Sequence, residues 1–137
     1  MNIEAIKPKI AKLAEKYGTT LVVLFGSQVT GHTHKESDVD VAYDADTKLS
    51  FRDETRLNAD LTEIFGNDMV SLVNFKKAPP LLLKQIVDNA LVLYEKTPHL
   101  FIEAFLYAIR TYEEAKPIFD LREHYLKRRI SEYKHAR

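Results

Sequence analysis

The sequence predicts an α/β (α+β) domain: a small mixed β-sheet with flanking helices and a C-terminal helical extension. Three observations carry this reading. Four short segments, at 21–25, 38–43, 69–75 and 91–94, are rich in β-branched or alternating apolar residues. Stretches with helical periodicity lie before and between most of them. Beyond Pro98 the pattern is helical alone.

The elements follow in order. Ile3, Ile6, Ile10 and Leu13 recur at helical spacing, and Gly18 stands where helices commonly end. LVVLF at 21–25 is five consecutive apolar residues, the pattern of a buried strand, and it runs directly into Gly26-Ser27. Residues 28–37 are polar, contain Gly31 and two histidines, and keep no period. DVDVAY at 38–43 alternates polar and apolar, predicting a half-buried strand. Leu57, Leu61, Ile64 and Phe65 predict a helix over 51–65, stopped by Gly66-Asn67. MVSLVNF at 69–75 is the third strand. Pro79-Pro80 opens a short helix to about Val87, and LVLY at 91–94 is the fourth strand. Phe101, Phe105, Tyr107, Ile109 and Tyr112, then Leu121, Tyr125, Leu126 and Ile130, mark two helical stretches, with Pro117 expected to break or kink the chain between them. At 137 residues there is room for one core, divided here into residues 1–97, the core domain, and 98–137, a helical extension of the same domain.

Composition narrows the function. Twenty basic residues balance twenty acidic ones, which argues against a general nucleic-acid coat protein. Cysteine is absent, so disulfides, thiolate nucleophiles and Cys-ligated zinc are excluded. The N-terminal segment reads as an amphipathic helix rather than a signal peptide, and no apolar run reaches membrane-spanning length. A soluble, cytoplasmic protein is the expectation. The balanced charge is unevenly spread: residues 1–75 carry 8 basic and 12 acidic side chains, residues 76–137 carry 12 and 8.

The chemistry concentrates in LFGSQVTGHTHKESDVDVAY, residues 24–43. A buried strand delivers a Gly-Ser turn, where Gly26 allows close backbone approach to a ligand and Ser27 adds a hydroxyl donor. After a ten-residue spacer following Ser27, Asp38 and Asp40 sit two apart, so in a strand both carboxylates share one face while Val39 and Val41 enter the core. Paired carboxylates repel each other, and a divalent cation relieves that repulsion. Mg²⁺ characteristically takes one or two carboxylates plus substrate phosphates. Such a set suits phosphoryl or nucleotidyl transfer.

Gly26-Ser27, a ten-residue spacer and Asp38-Val39-Asp40 together resemble the motif of the DNA polymerase β-like nucleotidyltransferases. Two further segments, Ala78 to Leu83 leading to Leu91–Glu95 and the stretch from Ala115 to Leu126, resemble the minimal nucleotidyltransferase (MNT) antitoxins that partner HEPN-domain RNase toxins. The resemblance covers nearly the whole chain and implies that family's nucleotidyltransferase fold. It implies that Gly26 and Ser27 bind ATP, and that Asp38 and Asp40 are catalytic and hold Mg²⁺. It further implies a type VII-like toxin–antitoxin pair, in which AMP passes from ATP to a tyrosine of the toxin and silences it. The partners implied are ATP and a HEPN toxin in a hetero-oligomer, with no membrane and no nucleic-acid substrate.

Two positions depart from the family pattern. A third carboxylate is usual in the next strand, and counting back from Pro79-Pro80 places Ser71 there, with Asn74 at a second commonly acidic position. Serine neither ligates Mg²⁺ strongly nor accepts a proton at neutral pH. Asp68 falls three residues earlier, on the opposite side of a regular strand. Gln28-Val29-Thr30 replaces a common arginine. Ser71 motivates an alternative: an antitoxin that neutralises by binding alone. Transfer to a small molecule is a third reading, disfavoured because no second domain forms a pocket.

Other motifs carry less. Gly26 and Gly31 have P-loop spacing, but His32-Thr33 replaces the Lys-Ser/Thr pair and a strand follows. His32 and His34 read as solvated loop residues, and Asp44 and Asp46 as turn residues. Arg129 and His135 match the RNase Arg-x-His spacing only by coincidence, since about forty residues cannot form a HEPN domain. The aromatic series from Phe101 to Tyr112 reads as core or partner interface. Lys127, Arg128 and Arg129 form a basic face, the candidate docking surface.

Overall fold

The computed structural model describes residues 2–26, 29 and 38–135. Helix α1 spans Ile3–Tyr17, with the Asn2 side chain accepting from the Ala5 N–H at its start. Strand β1 is Thr19–Phe25 and β2 is Val39–Ala45. Helix α2 is Phe51–Phe65, capped by the Ser50 hydroxyl, which accepts from the Asp53 N–H at 3.1 Å. Strand β3 is Val70–Asn74; a 3₁₀ turn at Phe75–Lys77 leads to α3, Pro80–Asp88. Strand β4 is Leu91–Glu95, and α4 runs from Leu100 to His135.

The strands form one sheet in the order β3-β2-β1-β4. β1 pairs antiparallel with β2 and β4, whereas β2 and β3 are parallel, joined through α2. The sheet is therefore mixed, as the sequence predicts. Alternation along the strands divides the interior into two layers. On one face Val22, Leu24, Val39, Val41, Tyr43 and Leu93 pack beneath α1 and α2. On the other, Leu21, Val23, Phe25 and Ala42 pack with Leu83 and Ile86 of α3 and with Ala104 and Ala108 of α4.

Coverage on both faces corrects one expectation. β2 was expected to be half-buried, but Ala42, on the polar face of the alternation, is 0% exposed beneath the second layer. Its polar residues remain reachable only toward the strand's two ends. Of the break or kink expected at Pro117, the structure excludes the break. α4 is continuous through it, 36 residues in all. Proline there removes the hydrogen bond to the Glu113 carbonyl. Both residues are exposed, so water is available to that carbonyl.

Among the described residues no helix is long and apolar enough to cross a membrane. Only Ala104 and Ala108 of α4 are buried. Two alanines four apart let the helix backbone approach the sheet closely. Enlarging one of them tests that contact. Ala108→Leu should destabilise the fold by about 1–3 kcal/mol, read as a lower urea midpoint with an unchanged slope.

Candidate active site

β1 and β2 are the two central strands, and their antiparallel register brings the sequence motif together. Phe25, the last residue of β1, is the Cα partner of Asp40. Gly26 follows at once with φ 78°, a left-handed conformation that side-chain-bearing residues rarely adopt. A Cβ at Gly26 would collide with Asp40 Oδ2 and lie 3.1 Å from its Cγ and 3.3 Å from its Cβ. Glycine is thus required twice, by backbone conformation and by the carboxylate against it. The Gly26 carbonyl then accepts from the Val29 N–H at 3.1 Å. Ser27 lies outside the described residues, as do Gln28, Thr30, Gly31, His32, His34 and Lys35.

Asp38 immediately precedes β2 rather than lying within it, and it is exposed. Asp40 is half-buried. Burial pushes its carboxyl above the ordinary aspartate range, and the neighbouring Asp38 charge raises it further. Neither carboxylate has an ion-pair partner among the described residues. Two acidic groups close enough to repel, one of them partly desolvated and neither compensated, have the chemistry of a hard-cation site. That donor set fits Mg²⁺.

The sequence count puts Ser71 at the third-carboxylate position. In the parallel β2–β3 register Asp40 is the Cα partner of Ser71, so the two side chains share one sheet face. Asp68 is exposed and precedes β3 by two residues, outside this row. No group of three or more metal-ligating side chains occurs among the described residues.

Sequence reasoning missed what Asp44 does. It lies in β2 rather than in a turn, and its Oδ1 pairs with Lys76 Nζ at 3.3 Å while that ammonium donates to the Ala45 carbonyl at 2.7 Å. The pair rims a cavity of about 320 Å³ floored by Leu21, Phe75 and Ala104. Asp44 shares Asp40's sheet face, roughly 13 Å along the strand. The alternation of 38, 40 and 44 was the available signal. Elsewhere the Tyr43 hydroxyl donates to Glu54 Oε2 at 2.6 Å on the opposite face, and burial followed by that bond raises its pKa.

A family model described as polymerase beta, nucleotidyltransferase, matches residues 8–99. A chain in a crystal structure of a toxin–antitoxin with AMP-PNP superposes with a TM-score of 0.70 at 28% identity, over 83% of this chain and 95% of that one. A chain from the Shewanella oneidensis complex of a tri-AMPylated HEPN toxin with an MNT antitoxin gives 0.67 at 25% identity, over 87% and 97%. Among curated proteins, none matches by sequence.

The raised Asp40 pKa has a stability consequence. Because folding raises it, the ionised carboxylate opposes folding, and metal-free stability should fall as pH rises from about 4 through the raised value. Asp40→Asn should remove that opposition and raise the metal-free Tm at pH 7. Differential scanning fluorimetry should also show Mg²⁺ raising the Tm of the unsubstituted chain and leaving that of Asp40→Asn unchanged.

Proposed function

We propose, from the premise that this chain belongs to the polymerase beta nucleotidyltransferase family, that it is an antitoxin moving AMP from ATP to a tyrosine of a HEPN RNase toxin. The observation that carries this is the contact between the Gly26 turn and the Asp40 carboxylate. It sets a backbone suited to phosphate beside an uncompensated pair of carboxylates. The likeness to a chain from a complex containing an AMPylated HEPN toxin supports the acceptor and the nucleotide.

In this reading the Gly26 backbone and the Ser27 hydroxyl hold the triphosphate. Asp38 and Asp40 hold Mg²⁺, which when bound neutralises charge on the phosphates. The tyrosine oxygen bonds to the α-phosphorus, the bond from that phosphorus to the bridging oxygen breaks, and pyrophosphate leaves. The hydroxyl proton is released to solvent. ATP and the toxin are the partners, and the assembly is a hetero-oligomer.

Intact-mass spectrometry tests it. Incubation with the toxin, ATP and Mg²⁺ should add one or more AMP units to the toxin, and Asp38→Ala or Asp40→Ala should lower the rate by at least about 10²-fold. An unchanged toxin mass rules transfer out.

Ser71 favours a second reading. With a hydroxyl in the Asp40 row, the acceptor tyrosine lacks a carboxylate base, and neutralisation by binding alone becomes the function. Ser71→Asp separates the two. If a missing base limits transfer, that variant should gain on the order of 10²-fold in rate; an unchanged, substantial rate assigns the proton to another acceptor.

A further inference from the structure

α4 begins one residue after the matched family region ends, and its two halves differ. The first half lies on the sheet face that carries Asp40, through Ala104 and Ala108. From Asp120 onward every described residue is exposed. Yet the second half is not polar all round. Ile118, Leu121, Tyr125, Leu126 and Ile130 are each 47–69% exposed. At about 100° per residue these five fall within one half of the helix circumference, and Ala104 and Ala108 fall within the same half. The face that buries against the domain therefore runs on, still apolar, beyond the domain's edge.

Two arginines sit inside that apolar arc. Arg122 and Arg129 are seven residues apart, about 10 Å along the axis. Arg122 has no ion pair among the described residues, and Arg129 reaches only Glu132, at 3.7 Å. By contrast Lys127 and Arg128 are satisfied within the helix, by Glu123 at 3.0 Å and Glu132 at 3.3 Å. The arc, rather than the consecutive basic run, is the surface in want of a partner.

A second copy fits it poorly. The antiparallel register that matches the apolar residues, 121 with 130 and 125 with 126, sets Arg122 against Arg129 of the other copy. A parallel pair sets each arginine against itself. Like charges inside a desolvating interface oppose both arrangements. The occupant that fits has an apolar surface bearing carboxylates about 10 Å apart.

We infer that the second half of α4 is an arm that grips the toxin through this apolar, arginine-bearing face. It holds the acceptor on the Asp40 side of the sheet. The inference rests on the toxin partnership proposed above and adds the surface that makes it.

The test uses the full-length chain. Leu121→Ser/Tyr125→Ser/Ile130→Ser should weaken toxin binding at least about 30-fold by isothermal titration calorimetry. Arg122→Glu/Arg129→Glu should weaken it at least about 10-fold. Binding of ATP with Mg²⁺ to the free chain should be unchanged in both, which shows that the variants are folded. Toxin affinity within about 3-fold of the unsubstituted chain in both variants overturns the arm while leaving the partnership standing. So does a free chain that light scattering finds dimeric and that the same substitutions render monomeric. If the unsubstituted chain does not bind the toxin, the partnership and the arm fall together.

Discussion

The close approach of Gly26 to the Asp40 carboxylate is the constraint around which the molecule is arranged. It exists because β1 and β2 are the central strands and pair with Phe25 opposite Asp40. That register also sends Val39 and Val41 into one layer while Asp40 and Ala42 face the other. A slip of one residue would exchange the two sets, turning Asp40 toward the layer that Val39 and Val41 fill. The core and the candidate site are thus products of the same pairing. Fully buried Val39 and Val41 hold in place a carboxylate that the fold would be more stable without.

This opposition is what a cation bound at the proposed site would relieve. Nothing described neutralises Asp38 or Asp40, whereas two other aspartates are matched. Asp44 has Lys76, and Asp60 accepts from both Lys16 and the Tyr17 hydroxyl, the latter bond holding its carboxyl below the usual range. A cation bound beside phosphate removes the repulsion. Ser71, next to Asp40 in the sheet, leaves the set one carboxylate short of the pattern the resemblance implies, so in the proposed transfer the acceptor's proton needs another route.

Local patterns in the sequence were enough for much of this. The strands at 21–25 and 91–94 and the helix over 51–65 follow from apolar runs and periodicity, and counting back from Pro79-Pro80 against the family pattern singled out Ser71, which the structure pairs with Asp40. What stayed illegible was tertiary. No local pattern says that α3 and α4 cover the face of β2 carrying Ala42, so that strand is more buried than its alternation suggests. Pro117 reads as a break or a kink, and the helix runs on through it with Glu113 exposed, so that water can satisfy the carbonyl it frees. Asp44 reads as a turn residue because its partner, Lys76, is distant in sequence. Likewise the even charge balance concealed a division: an acidic half built around Asp38 and Asp40, and a basic half whose last helix leaves its domain with an apolar face uncovered.

In the proposed function the Gly26–Asp40 contact builds a metal-dependent nucleotide site. Calorimetric titration of the chain with ATP, with and without Mg²⁺, and of Gly26→Ala alongside, tests it most directly. The account predicts saturable binding that requires Mg²⁺ and is lost in Gly26→Ala while the circular dichroism spectrum stays that of the folded chain. ATP binding of equal strength in Gly26→Ala, or equally tight binding without the metal, would contradict it.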